Sequence, residues 1–200
     1  VPDCEILLVG RMTSELKDEG PFVDLTGTYD KVRKQPVIEV DKMYVAEDPI
    51  YYAIIPSSKE HAVLMGLPYE PVIYKAVLNV CEVKNVRLTA GGRYYFHVVI
   101  QIKKNREGDA KNAIIAAFSA HSSLKMVVVV DEDIDIYNAE EVEYALATRV
   151  QPEKDVLIIS GMRGSTLDPS SENGLTSKWG IDATIPLDKK NRFGRIGLCT

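Results

Sequence analysis

The sequence predicts an α/β protein, α+β overall, in which a β region to about Pro56 precedes an α/β region with a largely parallel sheet. Three observations carry this. The first fifty-odd residues alternate apolar and polar side chains with no helical period. After Ser57 the rhythm becomes strand, helix, strand, helix, strand, the pattern of parallel βαβ units. Within it, Met126–Val130 is an unbroken apolar run of strand length, the mark of a strand covered on both faces.

Taken in order, Cys4–Gly10 reads as a strand, Pro36–Ala46 as a second, and Ile50–Ile55, rich in Tyr and Ile, as a third. Met12–Gln35 between the first two reads as a long connection containing Glu19-Gly20-Pro21-Phe22 and Thr26-Gly27-Thr28-Tyr29. A connection that long in a compact domain is more often functional than idle. The chain begins Val1-Pro2-Asp3-Cys4 without Met and enters a strand at once, as expected of a piece from a longer polypeptide.

In the second region, Ser57-Ser58-Lys59-Glu60 is a capping signal for a short helix to about Met65. Glu70–Cys81 places Val72, Ile73, Ala76, Val77 and Val80 at helical spacing. Val83–Thr89 and Tyr94–Lys103 read as strands about a Gly91-Gly92 turn, and Asp109–His121 as a well-covered helix. Asn138 is the N-cap of a helix to Val150, and Val156–Ile159 is expected to be another buried strand. The Gly-rich tail after Ser160 is expected to be loop that wraps around the rest.

Composition narrows the function. Apolar residues make up 46% and the net charge is -5 with scattered Lys and Arg, so a basic nucleic-acid footprint is not expected. The longest apolar run is too short to span a bilayer, and no signal-peptide pattern opens the chain. Cys4, Cys81 and Cys199 form no CxxC pair, which argues against a disulfide framework or Cys-rich zinc site and for a reducing, cytoplasmic setting.

Four constellations could carry chemistry. Glu19 and Asp24 flank a Gly-Pro turn beside Phe22. A carboxyl against apolar surface is desolvated and can hold a proton near neutral pH, but a solvated acidic loop is the plainer reading. Asp131, Asp133 and Asp135 follow a strand, where open α/β sheets bind ligands and clustered oxygens could hold Mg2+; capping and loop amides are the alternative. His61, His97 and His121 lack metal-ligand spacing. Arg163-Gly164-Ser165-Thr166 could meet a phosphate but lacks the full P-loop pattern.

Four segments together resemble the UbiD family of decarboxylases. Glu19-Gly20-Pro21-Phe22-Val23-Asp24-Leu25-Thr26-Gly27-Thr28-Tyr29 resembles EGPFGDxTGYY, and Val127–Asp135 resembles VVVVDEDID. Ala147-Thr148-Arg149-Val150, with Pro152 in register, resembles ATRxxP, and Ser177–Thr184 resembles SKxGIDAT. The resemblance implies reversible non-oxidative decarboxylation of aromatic or α,β-unsaturated acids with prenylated FMN, Mn2+ and K+. It makes residues 1–56 the end of a split β-barrel flavin domain and 57–200 an oligomerisation domain. It implies Glu19 and Asp24 as catalytic carboxylates, with Asp24 protonating carbon, and Pro21, Phe22 and Lys178 as cofactor contacts. Val23 stands where the family usually has Gly. The family's flavin-side Arg and its Asn, His and Glu metal ligands lie upstream of the matched motifs, so no metal ligand is expected here and the chain alone is expected to be inactive. A flavin prenyltransferase would supply the cofactor, with a homo-oligomer as the working form. Asp131–Tyr137 and Arg163–Ser170 look closest to archaeal members, some of which act on a phosphorylated mevalonate derivative in isoprenoid synthesis. The competing readings are a Mg2+-dependent phosphate-handling enzyme built on Asp131, Asp133 and Asp135, and a non-catalytic assembly module.

Overall fold

A computed structural model describes residues 3–194, so Cys199 lies outside the described residues. The chain divides into two compact units, 1–61 and 62–200.

The first unit is built on a long antiparallel ribbon, β1 (Ile6–Glu19) with β2 (Arg33–Val45). Here the structure departs from the sequence reading. Both ends of the expected Met12–Gln35 connection are strand, and only residues 20–32 form the turn. The segment Thr13–Glu19 has too few apolar residues to signal a strand, yet backbone pairing with 33–37 needs none. Lys34–Asp18 (2.8 Å) and Arg11–Glu39 (2.8 Å) bridge the two strands as exposed pairs, each contributing at most about 1 kcal/mol. The register shifts between Val9 and Gly10 and between Met12 and Leu16. Gly10 is required at the first shift, because a Cβ there would lie 2.2 Å from the Glu39 carbonyl oxygen.

The expected third strand, Ile50–Ile55, is not formed. Pro49 and Pro56 bracket it, it has no hydrogen-bonded neighbour among the described strands, and its Tyr and Ile side chains are exposed. The apolar side chains of the ribbon (Leu8, Met12, Ile38, Met43) are also exposed. A surface of this kind is one that sheets normally bury against further structure.

Helix α1 (Lys59–Gly66) leads into the second unit, with the Ser58 hydroxyl accepting from His61 N–H (3.1 Å) as its cap. Then follow α2 (Tyr69–Leu78), β3 (Glu82–Leu88), β4 (His97–Lys103), α3 (Asp109–Ala120), β5 (Met126–Asp131), α4 (Ala139–Arg149), α5 (Pro152–Asp155), β6 (Val156–Arg163) and β7 (Leu175–Ala183). A 3-10 turn closes the described chain at Leu187–Arg192. The sheet order is β3-β4-β5-β7-β6. The central pairs β4/β5 and β5/β7 are parallel, while β3/β4 and β6/β7 at the edges are antiparallel, so the sheet is mixed.

The valine run behaves as its composition demands. Val127 and Val129 face one core with Ile73, Val77, Ile114 and Phe118 of α2 and α3. Val128 and Val130 face the other with Val142 and Ala145 of α4. Two expectations fail in the tail. Val156–Ile159 belongs to an edge strand, with Ile158 exposed, and the segment after Ser160 is not a wrapping loop but supplies β7, next to the centre of the sheet.

Candidate functional site: a carboxylate turn at the end of the ribbon

The ribbon delivers Glu19 and Arg33 to its far end as the last registered pair. Between them the chain folds into a smaller hairpin. Asp30 N–H donates to the Phe22 carbonyl (2.9 Å), Val23 and Tyr29 form an isolated bridge, and Asp24 N–H donates to the Thr28 carbonyl (3.1 Å). Gly27 N–H then closes on the Asp24 carbonyl at 2.8 Å, with Gly27 at φ +79°, a conformation that favours glycine. Gly20 sits at φ +90° and the Gly20–Pro21 bond is cis. Val23 causes no strain, because it occupies the extended bridge position, which a β-branched residue suits, and not a positive-φ one.

Glu19 therefore sits at the base of the turn and Asp24 near its tip. The Asp24 Oδ1 accepts from Leu25 N–H (2.5 Å), which pins the carboxyl, and Oδ2 has no hydrogen bond among the described residues. Asp24 is half-buried. The drying expected at Glu19 is not provided by this unit itself, since Glu19 is exposed.

Sequence reasoning missed a cation here. Arg33 makes an ion pair with Asp30 whose second contact, Nη2 to Oδ1, is 3.0 Å. The Arg33 guanidinium holds the Asp30 carboxyl below the usual carboxylate range, and Asp30 first, then Asp24 and Glu19, push Arg33 upward. Arg33 is thus a fixed cation in electrostatic reach of three carboxylates. The signal was available only from register, because Glu19 and Arg33 are fourteen residues apart. Pro21 and Phe22, the latter 43% exposed, set an uncovered apolar surface beside the carboxylates. An apolar face edged by carboxylate oxygens fits a flat conjugated ring such as a flavin.

The second unit resolves the remaining candidates. Asp131, Asp133 and Asp135 do not form a metal site. The buried Arg149 donates through Nη1 to Asp131 Oδ2 (3.0 Å) and Asp133 Oδ1 (2.9 Å), and through Nη2 to Asp133 Oδ2 (2.6 Å). Ile185 N–H also donates to Asp131 Oδ2 (2.7 Å), and Tyr137 N–H donates to Asp135 Oδ1 (2.8 Å). Burial pushes the Asp131 carboxyl above its ordinary range. Among the described residues no cluster of three or more His, Cys, Asp or Glu could hold a metal ion, and the Mg2+ reading is corrected accordingly.

Lys178 was expected to touch a cofactor. It lies instead in the interior, 1% exposed, with Nζ donating to the Ser122 carbonyl (2.5 Å) and lying 5.3 Å from the Phe118 ring centre. In the Arg163–Thr166 loop and the residues after it, Gly164 N–H donates to the Gly174 carbonyl (2.8 Å), Leu167 N–H to the Ser165 hydroxyl (3.1 Å), and Asp168 pairs with Lys125 (2.7 Å). His61 accepts from Ser57 N–H (3.0 Å), and His121 is within hydrogen-bond distance of the Tyr95 carbonyl (3.1 Å) while stacked on Tyr69. No helix among the described residues is long and apolar enough to cross a membrane.

Comparison with known proteins follows the same division. Residues 1–59 match the 3-octaprenyl-4-hydroxybenzoate carboxy-lyase Rift-related domain (UbiD), and residues 62–183 match the C-terminal domain of the same carboxy-lyase. The chain is 61% identical over 196 residues to the anhydromevalonate phosphate decarboxylase of Archaeoglobus fulgidus, covering 98% of this chain and 46% of that protein. It is 56% identical to the protein of the same name from Methanocaldococcus jannaschii, covering 94% and 46%. The chain thus spans about half the length of these relatives. Among solved structures, the UbiD-class enzyme HmfF from Pelotomaculum thermopropionicum, in complex with FMN, superposes with a TM-score of 0.91 at 45% identity, over 97% of this chain and 44% of that one. The 3,4-dihydroxybenzoic acid decarboxylase of Klebsiella pneumoniae gives 0.88 at 28% identity, over 98% and 45%.

Proposed function

Because the chain belongs to the UbiD family of carboxy-lyases, we propose that it supplies the acid–base carboxylates for non-oxidative decarboxylation of an α,β-unsaturated acid with prenylated FMN. The observation that carries this is the turn that holds Glu19 and Asp24 beside an exposed Pro21-Phe22 surface, with Arg33 across the ribbon.

Loss of CO2 leaves an electron pair on carbon, so the reaction needs an electron sink and a proton donor. Bound prenylated FMN would supply the sink, which no side chain can. Asp24 is the donor: its Oδ1 is pinned by Leu25 N–H, so Oδ2 is the oxygen that carries the proton to carbon. Glu19, exposed at the base of the turn, exchanges protons with solvent and restores Asp24. Arg33, held by Asp30, fixes a positive charge that steadies the ionised forms between turnovers. Phe22 and Pro21 exclude water from one side. Of the expected contacts, Pro21 and Phe22 stay in this proposal and the interior Lys178 leaves it.

For the substrate, identity favours a phosphorylated unsaturated acid: 61% and 56% to the anhydromevalonate phosphate decarboxylases against 28% to the aromatic-acid enzyme. A flavin prenyltransferase as cofactor supplier and a homo-oligomer as working form belong to the same proposal.

The test uses the complete enzyme loaded with prenylated FMN. Asp24→Asn should lower CO2 release by about a hundredfold or more while leaving the near-ultraviolet absorbance of the bound cofactor intact. Turnover close to wild type in that variant removes Asp24 from the mechanism. Faster release from 3,4-dihydroxybenzoate than from anhydromevalonate phosphate overturns the substrate assignment alone.

A further inference from the structure

Asp30 is the carboxylate of the turn that takes no direct part in the proposed chemistry. Its side chain is 5% exposed, and a carboxylate is seldom that well covered unless it is paired. Three donors meet it. Arg33 donates through Nη1 to Oδ2 and through Nη2 to Oδ1, the second contact at 3.0 Å, and Lys31 N–H donates to Oδ1 (2.7 Å). A two-pronged guanidinium–carboxylate pair fixes direction as well as distance, so Asp30 decides where the Arg33 charge points.

The register of the small hairpin puts Asp30 on the same face as Asp24. On either side of the Val23–Tyr29 bridge, the Phe22 carbonyl accepts from Asp30 N–H (2.9 Å) and the Thr28 carbonyl accepts from Asp24 N–H (3.1 Å). Phe22 is thus opposite Asp30, and Asp24 is opposite Thr28. Alternation along both strands sends these four side chains to one face and Val23 and Tyr29 to the other. Asp24 and Asp30 are diagonal neighbours on that face, a spacing of about 7–8 Å in an antiparallel pair.

Two charges of opposite sign therefore bear on Asp24. Arg33 favours its ionised form, and an ionised Asp30 opposes it. Asp30 stays ionised, because the Arg33 fork holds its carboxyl below the usual range. A cation alone beside a proton donor would strip it of its proton. The other charged groups near the turn are Glu19 at its base, the exposed Lys31, and Lys34, which pairs with Asp18 (2.8 Å). At the tip, the Ser57 hydroxyl donates to the Leu25 carbonyl (3.5 Å), and His61 Nδ1 accepts from Ser57 N–H (3.0 Å).

We propose that Asp30 is a positioning residue for the decarboxylation: it aims Arg33 along the turn and offsets that cation's pull on Asp24, so that Asp24 keeps the proton it must give to carbon. The proposal rests on the decarboxylase reading, in which Asp24 is the donor, and adds a group that touches neither substrate nor cofactor.

The experiment uses the complete enzyme loaded with prenylated FMN and two measurements. The first is the pH profile of kcat for CO2 release from anhydromevalonate phosphate, whose alkaline limb follows loss of the Asp24 proton. The second is carbon NMR of enzyme labelled at the aspartate carboxyl carbons, with the Asp24 signal assigned by its loss in Asp24→Asn, which reads the same ionisation without turnover. In Asp30→Asn both midpoints should move to lower pH, by about half a unit or more. Arg33→Met should move them to higher pH. Asp30→Glu, which keeps the charge, and the double variant Asp30→Asn with Arg33→Met, which removes both charges, should hold them near the wild-type position. An Asp30 that only braces the turn would lower kcat at every pH and shift neither midpoint. Thermal midpoints identify any variant that fails to fold; Asp30→Asn and Arg33→Met are expected to shift in opposite directions, so either one decides. The proposal is overturned by midpoints that stay in place in the folded variants, by a shift to higher pH in Asp30→Asn, or by an Asp30→Glu enzyme that shifts as far as Asp30→Asn. Turnover that survives Asp24→Asn overturns the donor assignment and Asp30's part in catalysis with it, whereas loss of turnover in Asp24→Asn with unmoved midpoints in Asp30→Asn overturns the role of Asp30 alone.

Discussion

Arg149 gives the sharpest test of how the second unit is held together. Its side chain is 1% exposed and serves two carboxylates, Asp131 with a side chain 15% exposed and Asp133 with one 46% exposed. Replacing it with Leu leaves Asp131 desolvated, with the Ile185 N–H (2.7 Å) and the charge of Lys104 to answer its own. Breaking a buried pair from one side costs roughly 3–5 kcal/mol. The Asp133 contact, more exposed, adds little. At the lower figure, and about 2–4 °C per kcal/mol for a unit of this size, the thermal midpoint should fall by roughly 6–12 °C. The loss should depend on pH in a defined direction. Burial already raises Asp131 above its ordinary value of 3.8, with Arg149 opposing that rise. Without Arg149 the folded-state value climbs further. A group raised on folding stabilises fully below its unfolded value and loses that contribution as pH rises through the folded one. Arg149→Leu should therefore lie closest to the wild type in acid and furthest at neutral pH. Adding Asp131→Asn to the variant should recover more than half of the loss, whereas adding Mg2+ should recover none. Circular dichroism melts of the complete enzyme across pH 4–8 measure all three. A loss under about 1 kcal/mol, or a double variant no better than the single, refutes the reasoning.

Three further outcomes are expected. His121, buried and pushed down to about 4 from 6.5, should make the second unit lose stability as pH falls from 6.5 towards 4, by up to about 3 kcal/mol; pH-dependent melts should show a shallower slope in His121→Phe. Gly180→Ala sets a methyl 2.3 Å from Ile114 Cγ2, so it should destabilise by about 1–3 kcal/mol; adding Ile114→Ala should relieve the clash, and a denaturant melt of both variants measures this. Arg33→Met removes the cation opposite Glu19 and should lower kcat/KM by about tenfold or more, with kcat affected more than KM; equal loss in KM alone would instead make Arg33 a substrate-binding group.

The carboxylate turn was legible because its spacing is local: Glu19, Pro21, Phe22 and Asp24 lie within six residues, and the structure keeps them on one turn. Helix α2, the valine strand and α4 were legible for a related reason, since the apolar period of α2, the unbroken apolar run of β5 and the Asn138 cap of α4 are all local signals. What lay outside local spacing was missed. Arg33 reaches the turn through strand register alone. The polar half of β1 is held by backbone pairing that leaves no apolar signature. Arg149 meets Asp131 and Asp133 across a helix, and without it the acidic run reads as a metal site.

Strand β7 shows most clearly why a pattern can fail at the centre of a sheet. On the face it turns towards α3 its positions are Lys178, Gly180 and Asp182, residues that propensity assigns to loops and surfaces. Each has a specific reason to be inside. The Lys178 ammonium donates to the Ser122 carbonyl and lies over the Phe118 ring. Gly180 clears the space that Ile114 of α3 fills. The Asp182 carboxylate accepts from Thr184 N–H (3.0 Å) and from the Thr184 hydroxyl (2.5 Å), closing the end of the strand on itself. None of these partners is visible from β7 alone, since Ser122, Phe118 and Ile114 come from over fifty residues earlier. The β5/β7 pairing thus joins a strand specified by hydrophobicity to one specified by satisfied polar groups and close packing. An apolar replacement at Lys178 would complete the hydrophobic pattern but forfeit the charge-assisted hydrogen bond to the Ser122 carbonyl, worth about 1.5–3 kcal/mol, which opposes the gain from burying the new side chain.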